Sequence, residues 1–307
     1  MKNTINFYYN IFLDELIKKD NCYYFYYGGD EYYFVPLNRP YDDVQGIYKL
    51  NLEMKKRRCL VHELVLNKDK SIITVVNGIS YVLIRLCKYK NDKVFLNDIN
   101  YMQNMTVNIE CDKSLVRNDW IKLWSEKIDY YEYQISQVGK KYPLLCDSLS
   151  YFIGMGENAI SYLVNNLDSK TNVNLVVSHK RIYQERGSLN FYDPLNFVVD
   201  SRVRDVAEFI KETFYNKTLN LYDLKAYFNI ANLNKNEYIL LFGRLLFPTY
   251  YFDIYDDIIN NGKSEELVIN IIDRTDEYES LLNTIYKFIL YEKKVRLEPI
   301  EWLQDKN

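Results

Sequence analysis

The chain has 307 residues, of which 48% are hydrophobic and 26% are charged. This balance indicates a folded globular protein, and the length favours either one large two-lobed unit or two small domains. The net charge of -3 and the pI near 5.7 provide no broad cationic surface, which argues against nucleic acid as a partner. No apolar run approaches the ~18 residues that a membrane span needs, and no signal sequence is visible, so we expect a soluble cytoplasmic protein.

Cysteine and tyrosine usage add two expectations. The five cysteines are scattered singly, which is typical of free thiols in a reducing compartment, and two histidines make a zinc site improbable. Tyrosine contributes 31 residues. Two interpretations of this excess stay open, namely codon bias from an AT-rich genome and a sticky aromatic surface.

The first 86 residues have the pattern of a β-rich lobe. Apolar spacing predicts a helix over 5–19, and a Gly28-Gly29-Asp30 turn predicts a hairpin over 21–36. A second helix follows Pro40 and Asp42 as far as Met54. Three β-branched or aliphatic runs then predict strands, over 60–66, 72–76 and 79–86.

The remaining residues, 87–307, have the pattern of a larger and mostly helical lobe. Helices are predicted at six places, over 119–139, 157–167, 202–215, 221–228, 236–247 and 275–292. Two short strands interrupt them, over 174–178 and 189–193, with a polar loop between. Strand, polar loop, strand, aspartate and then helix is the order found in kinase-like catalytic centres. We therefore predict an α+β fold, two-lobed and protein-kinase-like, divided at residues 86 and 87.

This element order resembles the aminoglycoside phosphotransferase and choline kinase branch of the kinase-like superfamily. Two strings, YFIGMGENAISYL at 151–163 and RLLFPTYYF at 244–252, resemble spore-coat kinase-like proteins of the CotS and YutH type. The resemblance implies spore-coat proteins as partners, a spore-coat location, and ATP with magnesium as cofactors. Phosphoryl transfer would need a lysine for the nucleotide phosphates, a carboxylate base, and an asparagine and an aspartate for the metal.

The loop that should carry this chemistry departs from the family pattern. Active members have His-Gly-Asp followed by Leu-His-Pro-Gly-Asn, and the matching string here is HKRIYQER at 179–186. The resemblance gives His179 a structural role as a loop brace. Arg181 stands where the base should be, and arginine cannot accept a proton near neutral pH. Arg186 stands where the metal-binding asparagine should be, and a guanidinium repels Mg²⁺.

The other candidate site residues are few. The resemblance makes Asp193 the metal-binding aspartate, although an aspartate in an Asp-Pro turn has a structural reading as well. It gives Asp205 a structural role beside the loop. The strand over 32–37 lacks the expected lysine, so Lys49 is the nearest phosphate contact, unless it pairs with Glu53 one helical turn later.

Three hypotheses remain open from the sequence. The first is a catalytically degenerate, pseudokinase-type binding or scaffolding protein of the spore coat, for which no catalytic residue and no certain cofactor is expected. The second is an active small-molecule phosphotransferase that uses a displaced carboxylate, chosen from Glu185, Asp193 and Asp200. The third is a cleft that binds an anionic ligand through Lys180, Arg181 and Arg186.

Overall fold

The computed structural model describes residues 1–168 and 173–304. The chain forms two compact units, and each unit is made of two segments that are separated in the sequence. The first unit comprises residues 1–117 and 175–200, and the second comprises residues 118–174 and 201–307. The loop that follows residue 179 therefore belongs to the same unit as the N-terminal strands, while the predicted division at residues 86 and 87 stays a prediction.

The first unit contains an antiparallel sheet with strand order β1-β2-β3-β6-β4, in which β5 pairs with β6. Its strands are β1 (Ile17–Lys19), β2 (Cys22–Tyr27), β3 (Asp30–Pro36), β4 (Glu63–Val65), β5 (Ile73–Val76) and β6 (Ile79–Arg85). Its longer helices are α1 (Lys2–Tyr9), α2 (Tyr41–Lys56) and α3 (Leu96–Thr106). The unit is completed by β7 (Leu175–His179), the short helix α6 (Gly187–Phe191) and β8 (Phe197–Ser201), of which β7 and β8 form a two-stranded ribbon.

The alternation of aromatic residues in β2 and β3 explains how the sheet acquires two different faces. Phe25 lies opposite Tyr32, and both are buried in one cluster with Phe34. Tyr24 lies opposite Tyr33 on the other face, with ring centroids 5.1 Å apart. Side chains alternate between faces along a strand, so the first set forms the core and the second set remains available to line a cavity.

Helix α2 begins after Pro40, with Asp42 and Asp43 in its first turn, where carboxylates favour the positive end of the helix dipole. Asn51, which is buried in α2, connects this helix to the start of β4. Its Nδ2 donates to the carbonyl oxygen of His62 at 2.8 Å, and its Oδ1 accepts from the Leu64 N–H at 3.1 Å. The helix therefore has a fixed position relative to His62.

The second unit is helical in its described part. Its helices are α4 (Trp120–Val138), α5 (Pro143–Asn166), α7 (Val203–Tyr215), α8 (Leu221–Ile230), α9 (Lys235–Leu246), α10 (Thr249–Asn261), α11 (Ile269–Ile272), α12 (Thr275–Tyr291) and α13 (Glu301–Gln304). Trp124 stacks on Phe247 with a centroid separation of 4.3 Å, so the paired tryptophans of α4 belong to the core, as their spacing suggests.

Several element predictions are corrected by the structure. The predicted helix over 5–19 is the short helix α1 followed by strand β1, because Asn10 adopts a left-handed conformation and ends the helix. Helices α3 and α10 were not predicted, and α5 begins well before residue 157. The second strand predicted over 189–193 is wrong. Those residues contain the end of α6 and a turn, and the strand that pairs with β7 is β8.

Among the helices that the structure describes, none combines the length and the apolar character needed to cross a membrane. The longest, α5, is interrupted by polar and charged side chains such as Asp147, Glu157 and Asn158.

Candidate functional site

The ribbon of β7 and β8 presents the loop 180–196, whose two ends are held together by hydrogen bonds. The Lys180 N–H donates to the carbonyl oxygen of Asn196 at 2.8 Å. The Asn196 Nδ2 donates in turn to the carbonyl oxygen of Arg181 at 2.9 Å. The loop therefore starts and ends at one place, and its middle residues are free to fold into α6.

His179, at the end of β7, connects the ribbon to α6. The side chain is buried, and its Nε2 lies 2.7 Å from the carbonyl oxygen of Phe191. Its ring also stacks on the Phe191 ring, with centroids 4.5 Å apart. These contacts join the ring to aromatic and backbone groups of the loop, and its role as a loop brace stays a prediction.

The resemblance places Arg181 and Arg186 at the positions of a base and a metal ligand, an assignment that stays a prediction. Arg181 is half-buried, and its Nη1 donates to the carbonyl oxygen of Lys180 at 2.7 Å. Arg186 is exposed, with its guanidinium 4.2 Å above the Tyr183 ring. A guanidinium is a donor with no acceptor, so neither side chain can take a proton from an alcohol or coordinate a cation.

Asp193 does not end a strand, which removes the geometric reason for choosing it as the metal-binding aspartate. It caps a 3-10 turn over Pro194–Asn196, where its carboxylate accepts from the Leu195 N–H at 2.9 Å. Asp193 and Pro194 impose a turn, and the residues before it form the helix α6. The two aromatic residues of that segment favour a strand too weakly to extend one into the turn. Burial raises the pKa of Asp193 to about 6. Its role as a metal ligand stays a prediction.

The aspartate that does lie near the end of the strand is Asp200, in β8. Its side chain is fully buried, with an exposed fraction of 0%. The β-branched run before it, Val198 and Val199, is a stronger strand signal than the aromatic pair Phe191 and Tyr192. Asp200 is therefore the carboxylate that the ribbon positions.

Lys49 lies elsewhere, on the exposed face of α2. It borders a cavity of about 360 Å³ whose other polar residues include Glu110 and Asp112. The expected pair with Glu53 is replaced by ion pairs from Glu53 to Lys56, at 3.1 Å, and to Arg57, at 3.6 Å. The loop residues border a different cavity, so Lys49 and the loop are not brought to one site.

A buried cation that the sequence reasoning missed lies beneath the loop. Arg39 donates from Nη1 to the carbonyl oxygens of Leu195, at 3.2 Å, and Phe197, at 2.5 Å. Its Nη2 donates to the Asp43 carboxylate at 3.0 Å. The sequence carries a signal for this pair, because Arg39 stands just before the helix start at Pro40 and Asp43 follows four residues later. Opposite charges at this spacing pair on a helix. Arg39 thereby fixes the N-terminus of α2 to the end of the loop.

Lys180 is the half-buried cation of the loop itself. Burial, together with the neighbouring charge of Arg39, lowers the pKa of Lys180 to about 8, against the raising effect of Asp43 and Asp193. The predicted convergence of Lys180, Arg181 and Arg186 on an anion is an open proposal. Arg186 is engaged with Tyr183, and Lys180 lies near two carboxylates.

The linker 86–94, which follows β6, is bonded along its length to the loop. The Val94 N–H donates to the carbonyl oxygen of Gln184 at 2.9 Å. The Ser188 N–H donates to the carbonyl oxygen of Asn91 at 2.8 Å, and the Asn91 N–H donates to the Ser188 hydroxyl at 3.1 Å. These bonds place the linker and α6 side by side.

Gly187 permits this close approach. Its φ is +52°, a left-handed conformation that side chains rarely adopt. A Cβ at this position would overlap the carbonyl oxygen of Asn91 and lie 2.7 Å from the carbonyl group of Asp92. Only glycine fits between α6 and the linker, and sequence reasoning missed its role because a lone glycine carries no motif.

His62 joins the linker and the loop from the side of the sheet. The Cys87 N–H donates to His62 Nδ1 at 3.1 Å, so the ring carries its proton on Nε2, which lies 3.2 Å from the carbonyl oxygen of Leu189. The His62 N–H donates to the carbonyl oxygen of Tyr192 at 2.9 Å. Burial lowers the pKa of His62 to about 4. The imidazole is therefore neutral near pH 7 and uses both ring nitrogens.

A cavity of about 400 Å³ lies between the second face of the sheet, the linker and the loop. One side of the cavity is formed by a cluster around Glu31. Lys90 forms an ion pair with Glu31, and the hydroxyls of Tyr24 and Tyr26 are hydrogen-bonded to the same carboxylate. The residues around the cavity include Tyr24, Tyr33, Lys90, Asn91, Arg186 and Leu189.

Asp205 belongs to the second unit, where it is buried in the first turn of α7. Its structural role stays a prediction. Within residues 1–168 and 173–304, no group of three or more histidine, cysteine, aspartate or glutamate side chains is arranged to hold a metal ion.

Solved structures with the same fold identify its class. An aminoglycoside phosphotransferase from Alicyclobacillus acidocaldarius matches with a TM-score of 0.63 and 9% identity, covering 92% of this chain and 94% of that chain. A spectinomycin phosphotransferase solved with ADP and spectinomycin matches with a TM-score of 0.58 and 8% identity, covering 86% and 89%. The chain has a kinase-like α+β fold, which confirms the predicted fold class.

Sequence comparison gives the family. The model for "Spore coat putative kinase YutH" matches residues 2–285, and the chain belongs to this family. The endospore coat-associated protein YutH of Bacillus subtilis is 30% identical over 207 residues. That match covers 60% of this chain and 61% of the relative, so it spans less than two thirds of the relative's length.

The residues of the loop and linker do not fit a nucleotide with its magnesium ion. Strand β3 carries no lysine, and Arg181 and Arg186 supply no oxygen ligand. Three linker N–H groups, those of Cys87, Asn91 and Val94, donate to groups of the chain itself. Of the groups that Mg²⁺ prefers, Asp193 and Asp200 supply carboxylate oxygens.

Proposed function

We propose that this chain is a binding or scaffolding protein of the endospore coat that has kept a kinase-like fold without phosphoryl transfer. The observation that carries the proposal is Arg181, the second residue after β7, which the resemblance places at the position of the catalytic base. A base must accept the proton of the acceptor hydroxyl, and a guanidinium with a pKa above about 12 cannot do so. The coat association of the B. subtilis relative supports the location.

The contacts of the loop support a structural use of its charged residues. Glu185 is exposed, and its carboxylate lies 2.9 Å from Lys93 Nζ in the linker. Asp193 caps a turn, and Arg39 bonds to the backbone of the loop. Each of these charged groups stabilises the shape of the loop, which favours a surface for binding over a centre for transfer.

The alternative, an active small-molecule phosphotransferase with a displaced carboxylate, is favoured by one observation, the burial of Asp200 near the end of β8. A buried carboxylate at a strand end is the kind of group that holds a metal ion in phosphoryl transfer. Asp200 therefore replaces Asp193 as the first residue to vary when this alternative is tested.

The location and the absence of transfer can be tested together in a spore-forming host. The native gene is replaced by variants that remove the candidate carboxylates or the arginine, namely Asp200→Asn, Glu185→Gln, Asp193→Asn and Arg181→Ala. We expect each variant to reach the extracted coat fraction in the same amount as the wild type, because assembly depends on the folded surface. Coat levels that fall for Asp193→Asn, while the variant is as stable as the wild type, would contradict the proposal.

A fold-breaking control is needed for this experiment. Glu208→Gln removes the negative charge of a buried ionic network in the second unit, where Glu208 contacts Lys211 at 2.9 Å and Arg244 at 2.8 Å. It should be lost from the coat because the chain is destabilised. If it assembles normally although its fold is destabilised, assembly does not depend on the folded surface, which contradicts the proposed binding role.

A further inference from the structure

The linker 86–94 and the loop 184–192 are bonded to each other at three levels. Val94 bonds to Gln184 at one end, Asn91 and Ser188 exchange two hydrogen bonds in the middle, and His62 joins Cys87 to Leu189 at the other end. Backbone groups of a loop usually bond to water or to a ligand when they border a cavity. Here the N–H groups at 87, 91 and 94 are satisfied within the chain.

We propose that these contacts form an intramolecular latch, made of His62, Gly187, Ser188 and the linker, that holds the linker edge of the cavity against the loop as one unit. The latch rests on the proposed function, because it concerns the cleft in which the kinase-like fold would hold a nucleotide. The His62 ring accepts the N–H of Cys87, so this one amide is not available to a ligand at that edge.

The conformation of Gly187 and the packing of Tyr192 indicate that the latch is a specific arrangement and not an incidental contact. Gly187 has the left-handed φ that brings α6 against the linker, where no side chain fits. Tyr192, which is 1% exposed, packs edge-on against Tyr89 of the linker at 5.8 Å and against His62 at 6.2 Å. Aromatic rings therefore pack around the His62 end of the latch, where partial shielding from water strengthens the hydrogen bonds.

The latch predicts that linker and loop open as one unit. Hydrogen exchange of the full-length wild type, followed amide by amide, should protect the N–H groups of Cys87, Asn91, Val94 and Ser188 to a similar degree. His62→Ala and Gly187→Ala should each speed exchange at all four amides, by roughly tenfold or more, because removing one contact releases the others. Amides in β6 should exchange as in the wild type.

Two controls make the outcome specific. Gly154→Ala changes a glycine in α5 around which a Cβ would meet nothing within 4 Å, so it should leave the four amides unchanged. Ser188→Ala removes only the hydroxyl that accepts from Asn91, and it serves if Gly187→Ala does not fold. It should also accelerate the exchange of Cys87 and Val94.

Labelling of Cys87 provides a second measurement, in a chain whose other four cysteines are replaced by serine. Opening of the latch by Ser188→Ala should raise the labelling rate of the Cys87 thiol, and Gly154→Ala should not. The proposal is overturned if the four amides exchange as fast as exposed amides in the wild type, or if each variant affects only its own contact. Neither readout uses ATP, so a failure of the latch is distinguishable from a failure of the proposed function.

Discussion

His62 Nε2 lies 3.2 Å from the carbonyl oxygen of Leu189, a residue 127 positions later in the chain. The same ring accepts the Cys87 N–H on Nδ1, so one neutral imidazole joins the sheet side of the first unit to the linker and to the loop. Protonation of Nδ1 would remove the acceptor and place a charge in a site that is 2% exposed.

Acid should therefore weaken the fold through His62. Its pKa falls from about 6.5 in the unfolded chain to about 4 in the folded chain because of burial. The unfolded state binds the extra proton first, so stability is lost as the pH falls from 6.5 towards 4, by about 3 kcal/mol in total. Urea unfolding of the wild type and of His62→Gln across this range should show the wild type losing about this much relative to the variant.

The comparison with a variant is essential because Asp193 acts in the opposite direction. Its pKa is raised to about 6, so its neutral form is favoured in the folded chain and its contribution declines as the pH rises through that window. Both proteins contain Asp193, so its contribution cancels when the free energy of unfolding of His62→Gln is subtracted from that of the wild type at each pH. Parallel curves for the two proteins would contradict the neutral, doubly bonded His62.

The buried pair of Arg39 and Asp43 should make a large contribution to stability. Asp43→Ala leaves a cation whose side chain is 0% exposed without its carboxylate, which costs about 3 to 5 kcal/mol. Lys122→Ala is the matched control, because the Lys122–Glu126 pair has the same i,i+4 spacing but side chains that are 70% and 62% exposed. Its cost should be about 0.5 kcal/mol or less. Equal costs in denaturant unfolding would contradict the structural role of Arg39.

The network around Glu208 in the second unit should behave in the same way. Its carboxylate accepts from Lys211, Arg244 and Thr249, all of them buried. Glu208→Gln leaves two cations with a neutral partner and should lower the free energy of unfolding by about 3 to 5 kcal/mol. Glu277→Gln, which alters a pair with Arg274 whose carboxylate is 62% exposed, should cost about 1 kcal/mol or less. A small effect at both positions would be inconsistent with a buried network.

Long and strongly periodic elements were predictable from the sequence. The hairpin of β2 and β3, the strands β5 and β6, and helix α2 lie close to their predicted bounds. In each of them, local propensity and the burial pattern agree, so no tertiary contact needs to override the sequence.

The loop was harder to predict, because short runs carry little periodicity. Residues 189–193 contain Phe191 and Tyr192, which favour strand, but their rings are buried by stacking on His179 and by contacts with His62 in a helical segment. The contact with the linker at Gly187 and the turn at Asp193 and Pro194 together decide the conformation. Residues separated by about a hundred positions make these contacts, and no local pattern reveals them.

In the candidate site, too, some features could be predicted from the sequence and others could not. The identity of Arg181 and Arg186 at their positions could be read from the sequence, because it depends only on the order of residues after β7. The partners of Arg39 and His62 could not, since each bonds to backbone groups that the fold brings from a distant segment. A second strand predicted over 189–193 favours Asp193 over Asp200 as the metal-binding aspartate. The strand β8 lies eight residues later, and Asp200 is near its end.

The central claim is that the chain transfers no phosphoryl group, and the most direct test is turnover of radiolabelled ATP by the purified full-length chain with Mg²⁺ and candidate acceptors. Asp200→Asn and Arg181→Ala are assayed beside the wild type. The account predicts that all three release ADP no faster than a blank without protein. Turnover by the wild type above that blank, abolished by Asp200→Asn in a variant that remains folded, would contradict it.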